Sequence, residues 1–200
     1  MRVVIVGQKW LAAEILKLCI YREYDVAAVI APGQEDRLYQ AGIAYGRSVL
    51  SVPGRLAPEH IPADVDVIVA AHAHCFISRA ARDCTRLGAI GYHPSLLPRH
   101  RGRDAIRWAI HMREATTGGT VYWMDDRADG GPVAAQDWCH IRPDDTPETL
   151  WRRELAPMGL RLLAEVLQGI DTGQVKSIPQ DNSLATWEPS FDRQKLVGCE

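Results

Sequence analysis

The sequence predicts an α/β fold: an open, mostly parallel sheet with helices on both faces. Three observations predict it. The chain opens on a strand-like apolar run, Arg2 to Val6, which Gly7 ends. Trp10, Leu11, Ile15, Leu16, Leu18 and Cys19 then recur at helical spacing over residues 9 to about 21. Val26 to Ala31 makes a second strand before the turn signal Pro32-Gly33. A β-α-β opening of this kind implies parallel strands joined by a right-handed crossover.

The remaining elements follow in order. Residues 37 to 46 read as a helix, and Ser48 to Val52 as a short strand. Val65-Asp66-Val67-Ile68-Val69-Ala70-Ala71 is the clearest buried strand of the first half. Leu87 to Ile90 is short and apolar and reads as another. Pro94 stops its ladder, having no amide proton and restricting the residue before it. Asp104 is placed to cap a helix carrying Ala105, Ile106, Trp108, Ala109 and Met112. Gly119 to Met124 and Val133 to Ile141 read as strands. Thr146-Pro147-Glu148 starts a helix that Leu150, Leu155, Met158, Leu162, Leu163, Val166 and Leu167 continue to about residue 168. No linker, repeat or low-complexity segment interrupts the chain, so residues 1–190 are expected to form a single domain, with 191–200 as a tail.

Composition narrows the function. Two hundred residues suit one domain, and 46% apolar content is ordinary for a globular chain. A net charge of −2 gives no global attraction to nucleic acid or anionic membrane. There is no run of eighteen apolar residues, so no membrane span is expected. The N-terminus lacks a signal-peptide pattern. The five cysteines are scattered without a C-x-x-C, which points to reduced thiols in a cytoplasmic protein. His72-Ala73-His74 offers two imidazoles without a carboxylate partner, so pocket lining is expected there, not a metal site. Gly7-Gln8-Lys9-Trp10-Leu11 lacks the glycines of a dinucleotide or phosphate-cradling loop.

Two motifs carry chemistry. The first is Gly91-Tyr92-His93-Pro94-Ser95-Leu96-Leu97-Pro98, followed by Arg99-His100-Arg101-Gly102. It places His93 where a strand ends, at the sheet edge where ligands of open α/β proteins collect. The second is Asp125-Asp126-Arg127-Ala128-Asp129-Gly130-Gly131-Pro132, a turn between two strands. In this order and spacing the pair resembles the folate-dependent formyltransferases, whose pattern is Asn-x-His-Pro-Ser-Leu-Leu-Pro followed by Asp-x-Gly-Pro or Asp-x-Gly-Asp. The tail, with Pro179-Gln180-Asp181 and Ala185-Thr186-Trp187, resembles a stretch just after the catalytic domain of tRNA and sugar formyltransferases.

The resemblance implies a Rossmann-like formyltransferase fold and 10-formyltetrahydrofolate as one-carbon donor, with no metal. It makes His93 and Asp129 the catalytic residues. Transfer of a formyl group builds an oxyanion and a cationic nitrogen, so the site needs an oxyanion donor and a proton acceptor. A carboxylate beside a histidine favours imidazolium and orients the ring. The resemblance also implies folate contacts from His74, Cys75, Phe76 and Ile77 on one side and from Asp125, Asp126, Arg127 and Ala128 on the other. Ser95, Leu96, Leu97 and Arg101 fall on the substrate loop. For the basic run Arg99, His100, Arg101 and Arg103, a solvated loop and an anion anchor stand even.

One position departs from the family. Gly91 stands where the family has the asparagine whose amide reaches the formyl oxygen, and losing such a donor costs about 10²–10³ in rate. A water or the acceptor could fill the gap, another donor such as Tyr92 or His74 could replace the amide, or the chemistry could have changed. The expected partners are the folate donor and a small-molecule amine, with neither membrane nor nucleic acid. The expected activity is N-formyl transfer to that amine. The alternatives are a formyltetrahydrofolate hydrolase and a catalytically weak folate-binding module. Full methionyl-tRNA formyltransferase activity is not expected, since that family appends a β-barrel of roughly a hundred residues. Neither the acceptor nor the oligomeric state follows from the sequence.

Overall fold

The structure, a computed structural model, describes residues 1–73 and 75–191. His74, one of the expected folate contacts, and most of the 191–200 tail lie outside the described residues.

The opening unit forms as its pattern predicts: β1 (Arg2–Gly7), α1 (Lys9–Tyr21) and β2 (Asp25–Ala31), with the two strands parallel. Next come α2 (Arg37–Ala44), β3 (Val49–Ser51) and β4 (Arg55–Leu56), then β5 (Val67–Ala71) and β6 (Phe76–Ile77). α3 (Arg79–Arg82) leads to β7 (Ala89–His93), α4 (Ala105–His111), and the long strands β8 (Thr116–Trp123) and β9 (Val133–His140). The helical end of the chain comprises α5 (Pro147–Leu150), one π-helical turn at Trp151–Leu155, and α6 (Ala156–Asp171).

One sheet holds seven strands in the order β3-β2-β1-β5-β7-β8-β9, while β4 and β6 pair separately. The first five are parallel, and β8 and β9 run antiparallel to their neighbours. The fold is thus α/β with a largely parallel sheet. Core clusters cover both faces. Val3, Ile5, Val67, Val69 and Ile90 pack under α1 and α6, while Val4, Val6, Ile68 and Ala89 pack with Leu56, Ile77 and Ala81 on the other side. Burial on both faces is why the central strands read as continuous apolar runs instead of alternating ones.

One local expectation is corrected and another refined. The Asp104 side chain does not cap α4: it sits at φ 62°, and its carboxylate accepts instead from the Ser190 hydroxyl and the Phe191 amide. The expected helix from Thr146 runs without a break to Asp171, with one π turn inside it. Thr146 caps its start, accepting from the Thr149 amide, and Pro157 has no N–H and its ring crowds the preceding turn, where the wide π turn sits.

Candidate active site

Strand alternation sorts β7 into two faces. Tyr92 points to the helical layer, where a Cβ on Gly159 would lie 2.7 Å from its Cε1 and one on Gly119 2.2 Å from its hydroxyl oxygen. Its hydroxyl donates to the Leu155 carbonyl at 2.7 Å. Tyr92 is therefore committed to packing and does not replace the family's amide. Gly91 and His93 share the opposite face.

His93 is only 7% exposed. Its Nε2 lies 2.7 Å from the His100 carbonyl oxygen. A carbonyl oxygen can only accept, so Nε2 carries the hydrogen and Nδ1 is left to face Asp129. The Nδ1 to Asp129 Oδ2 separation is 3.7 Å, within ion-pair range but too long for a direct hydrogen bond, so the two groups face each other side by side.

Asp129 is held by three hydrogen bonds. It adopts φ 50° in the turn between β8 and β9, a conformation Asp tolerates better than most residues. Oδ1 accepts from the Tyr122 hydroxyl at 2.6 Å and Oδ2 from the Gly102 amide at 2.8 Å. Its backbone carbonyl accepts from Gln180 Nε2 at 2.9 Å, and the same amide nitrogen donates to the Gly131 carbonyl. Burial, reinforced by the Asp129 charge, pushes the Tyr122 phenol well above its usual range, so it stays a donor.

Tyr122 is the direct cross-strand partner of Gly91, which puts its ring on the same face. A Cβ at position 91 would meet Met124 Cε at 2.6 Å and Tyr122 Cε1 at 3.3 Å. The space beside His93 that a side chain at 91 would use is occupied by these two residues.

The Ser95-Leu96-Leu97-Pro98 segment is pinned from within. Thr120, paired with His93 and fully buried, donates its hydroxyl to the Ser95 carbonyl and accepts from the Leu97 amide and from Gln136 Nε2. Ser95 is buried, with its hydroxyl on the Arg99 carbonyl, and Leu97 is buried as well. Leu96 contacts Gly118, where a Cβ would meet its Cδ2 at 2.7 Å.

The basic run divides. Arg99 pairs with Glu114. His100 is 2% exposed and lies between Glu114 Oε2 at 3.1 Å and Glu188 Oε2 at 3.0 Å. Arg101 donates to Gln180 Oε1 at 2.7 Å and Asn182 Oδ1 at 2.9 Å. Residues 178–191 thus strap the motif: Thr186 accepts from the His100 and Arg101 amides, and Trp187, 60% exposed, lies over Gly102.

The two expected folate walls border each other. Arg79 and Arg82 both pair with Asp126. Cys75 and Met124 pack against the cluster that holds Ile77. Phe76 is exposed, with the Arg55 guanidinium over its ring, and Ala128 is exposed too. Asp125 folds back on Arg127 through side chain and backbone. Burial pushes the Cys75 thiol up and the His72 imidazole down, which favours the neutral form of each. Among the described residues no cluster of His, Cys, Asp and Glu could hold a metal ion.

His93 and Asp129 thus face each other at the carboxyl edge of a largely parallel sheet. The formyl transferase family model matches residues 51–167, more than half of the chain, and the protein belongs to that family. It is 32% identical over 94% of its length to the cytosolic 10-formyltetrahydrofolate dehydrogenase of Xenopus laevis, although it spans only 22% of that relative. It is 29% identical over its whole length to the methionyl-tRNA formyltransferase of Kosmotoga olearia, covering 68% of it. In fold it matches an N-formyltransferase from Helicobacter canadensis solved with folinic acid and dTDP-3-aminofucose. That match has a TM-score of 0.78 and 18% identity, over 93% of this chain and 70% of the other.

The sequence reading missed three contributors to the site: Tyr122, Gln180 and the His100 carbonyl. Tyr122-Trp123-Met124 reads as plain core strand, and only the β7–β8 register puts Tyr122 opposite Gly91. Gln180 and the carbonyl act through long-range contacts that no local pattern carries.

Proposed function

We propose that this chain transfers a formyl group from a folate-type donor, 10-formyltetrahydrofolate, to an amine of a small metabolite. The single observation carrying this reading is the facing of His93 Nδ1 and Asp129 Oδ2, with Nε2 already committed to a carbonyl. An amine bound beside the pair attacks the formyl carbon and forms the new C–N bond. The oxyanion that results draws on protonated His93, while Asp129 accepts the amine proton directly or through water. Collapse breaks the bond from the formyl carbon to the folate nitrogen, which takes up the proton. The donor is read as lying between Cys75 to Ile77 and Asp125 to Ala128; Arg82 links the two, donating to the Ile77 carbonyl and pairing with Asp126. On this reading Ser95 and Leu97 shape the substrate loop from within, and Arg101 orders it through Gln180.

A second reading has water in place of the amine. It is favoured by the likeness to 10-formyltetrahydrofolate dehydrogenases, whose name places the formyl folate itself as the substrate. Release of tetrahydrofolate, followed with and without a pool of candidate amines, tests both. Amine-dependent release supports transfer, and amine-independent release supports the water reaction. Tight folate binding without release leaves a binding module, and no binding removes the donor assignment.

A further inference from the structure

The family's amide is missing at position 91, and the residue paired with that position across the sheet is Tyr122. Three observations meet there. Tyr122 is the register partner of Gly91, its ring carbons Cε1 and Cζ lie 3.3 and 3.4 Å from where a Cβ at 91 would be, and its hydroxyl donates to Asp129 Oδ1 at 2.6 Å. Gly91 and Tyr122 are therefore close neighbours: a Cβ at 91 would press on the ring by a few tenths of an ångström and on Met124 Cε more tightly, and the glycine leaves both in place.

We propose that Tyr122 is the positioning residue of this site, completing it in place of the absent asparagine by fixing the Asp129 carboxylate relative to His93. The proposal rests on the formyl-transfer reading above. The Gly102 amide holds Oδ2 and the Tyr122 hydroxyl holds Oδ1, so the carboxylate cannot rotate, and Oδ2 stays 3.7 Å from His93 Nδ1. Without the hydroxyl, Oδ1 loses its side-chain donor and the plane is free to turn about the remaining bond. The phenol remains protonated throughout the working range, since burial and the Asp129 charge push it up, Asp125 adds to the push, and Arg82 opposes it. The group acts through Asp129 and need not touch the reacting atoms.

The test is Tyr122→Phe, which keeps the ring against Gly91 and removes only the hydroxyl. The expected result is a fall in kcat of about tenfold or more with the KM for 10-formyltetrahydrofolate unchanged. A merely structural tyrosine would not split the two constants in this way. Wild-type kcat in Tyr122→Phe, or a fall in kcat matched by a rise in KM, overturns the proposal. A second measurement does not need turnover. In Asp129→Asn the phenol loses its charged acceptor, so tyrosinate absorbance should report one tyrosine ionising at lower pH than in the wild type, a change absent when Asp129→Asn is made in a Tyr122→Phe background. An unchanged tyrosinate titration overturns the Tyr122–Asp129 bond itself. A wild-type chain that never releases tetrahydrofolate sinks the formyl-transfer reading instead, and the titration then decides the pairing alone.

Discussion

His93 Nε2 sits 2.7 Å from the carbonyl oxygen of His100, seven residues further along the same loop. That one contact sets the tautomer of the ring and turns Nδ1 toward Asp129. Since the two side chains face each other at 3.7 Å, they are expected to act as a unit. His93→Ala and Asp129→Ala are each expected to lower turnover by about 10²–10⁴-fold, the usual contribution of a positioned acid or base. The double variant should be little worse than the weaker single one. Steady-state rates with thermal unfolding as a control check this. A double variant that multiplies the two losses would separate the residues.

Gln180 ties the strap to the site, donating to the carbonyls of Asp129 and Gly131 and accepting from Arg101. Gln180→Ala leaves two carbonyls and a guanidinium short of a partner, which should cost about 1–3 kcal/mol. Hydrogen exchange is expected to speed up in residues 129–131 ahead of the central strands. Unchanged protection there would show that the strap does not brace Asp129.

Position 91 offers a packing test. Gly91→Asn drives a side chain into Met124 Cε and the Tyr122 ring, and overpacking of this kind costs about 1–3 kcal/mol. Pairing it with Met124→Ala vacates the tighter contact. The double variant should regain most of the lost stability and turn over the folate donor faster than Gly91→Asn alone. Denaturant unfolding and tetrahydrofolate release measure the two halves.

A pH effect on stability is expected from Asp66. The Arg2 amide, donating to Oδ2 at 2.7 Å, and the Arg86 guanidinium, on Oδ1 at 2.6 Å, hold its carboxyl below the usual carboxylate range. A lowered folded-state pKa means that the unfolded chain binds the proton first, so stability rises with pH across that window. The wild type should exceed Asp66→Asn in stability at neutral pH by about 1–2 kcal/mol. The difference should shrink below the ordinary carboxylate pKa and vanish as pH falls through the folded-state one. A gap that persists in acid would mean that the carboxylate charge is not what Arg2 and Arg86 recognise.

Much of the fold is legible in the sequence because its signals are local. The Val65 to Ala71 run, the α1 spacing and the Thr146-Pro147 start each carry their own pattern. Asp104 is misread because side-chain type predicts a cap, while its backbone is left-handed and its carboxylate is taken by residues 190 and 191. His93 and Asp129 stand out as motif residues. Tyr122 does not, since a tyrosine in an apolar strand is ordinary until the pairing register is known. The basic run resists a single reading for a similar reason: Glu114, Gln180 and Glu188, which bind most of it, lie far away in sequence.

Tyr92 has a consequence for how this protein can drift. The strand bearing His93 is riveted to the helical layer by the Tyr92 hydroxyl on Leu155, with the ring seated between Gly119 and Gly159. Neither glycine is near Asp129's carboxylate, yet a Cβ on either one would strike that ring and push β7, moving His93 with it. Alanine at 119 or 159 should therefore lower both stability and turnover, although neither residue touches His93 or Asp129.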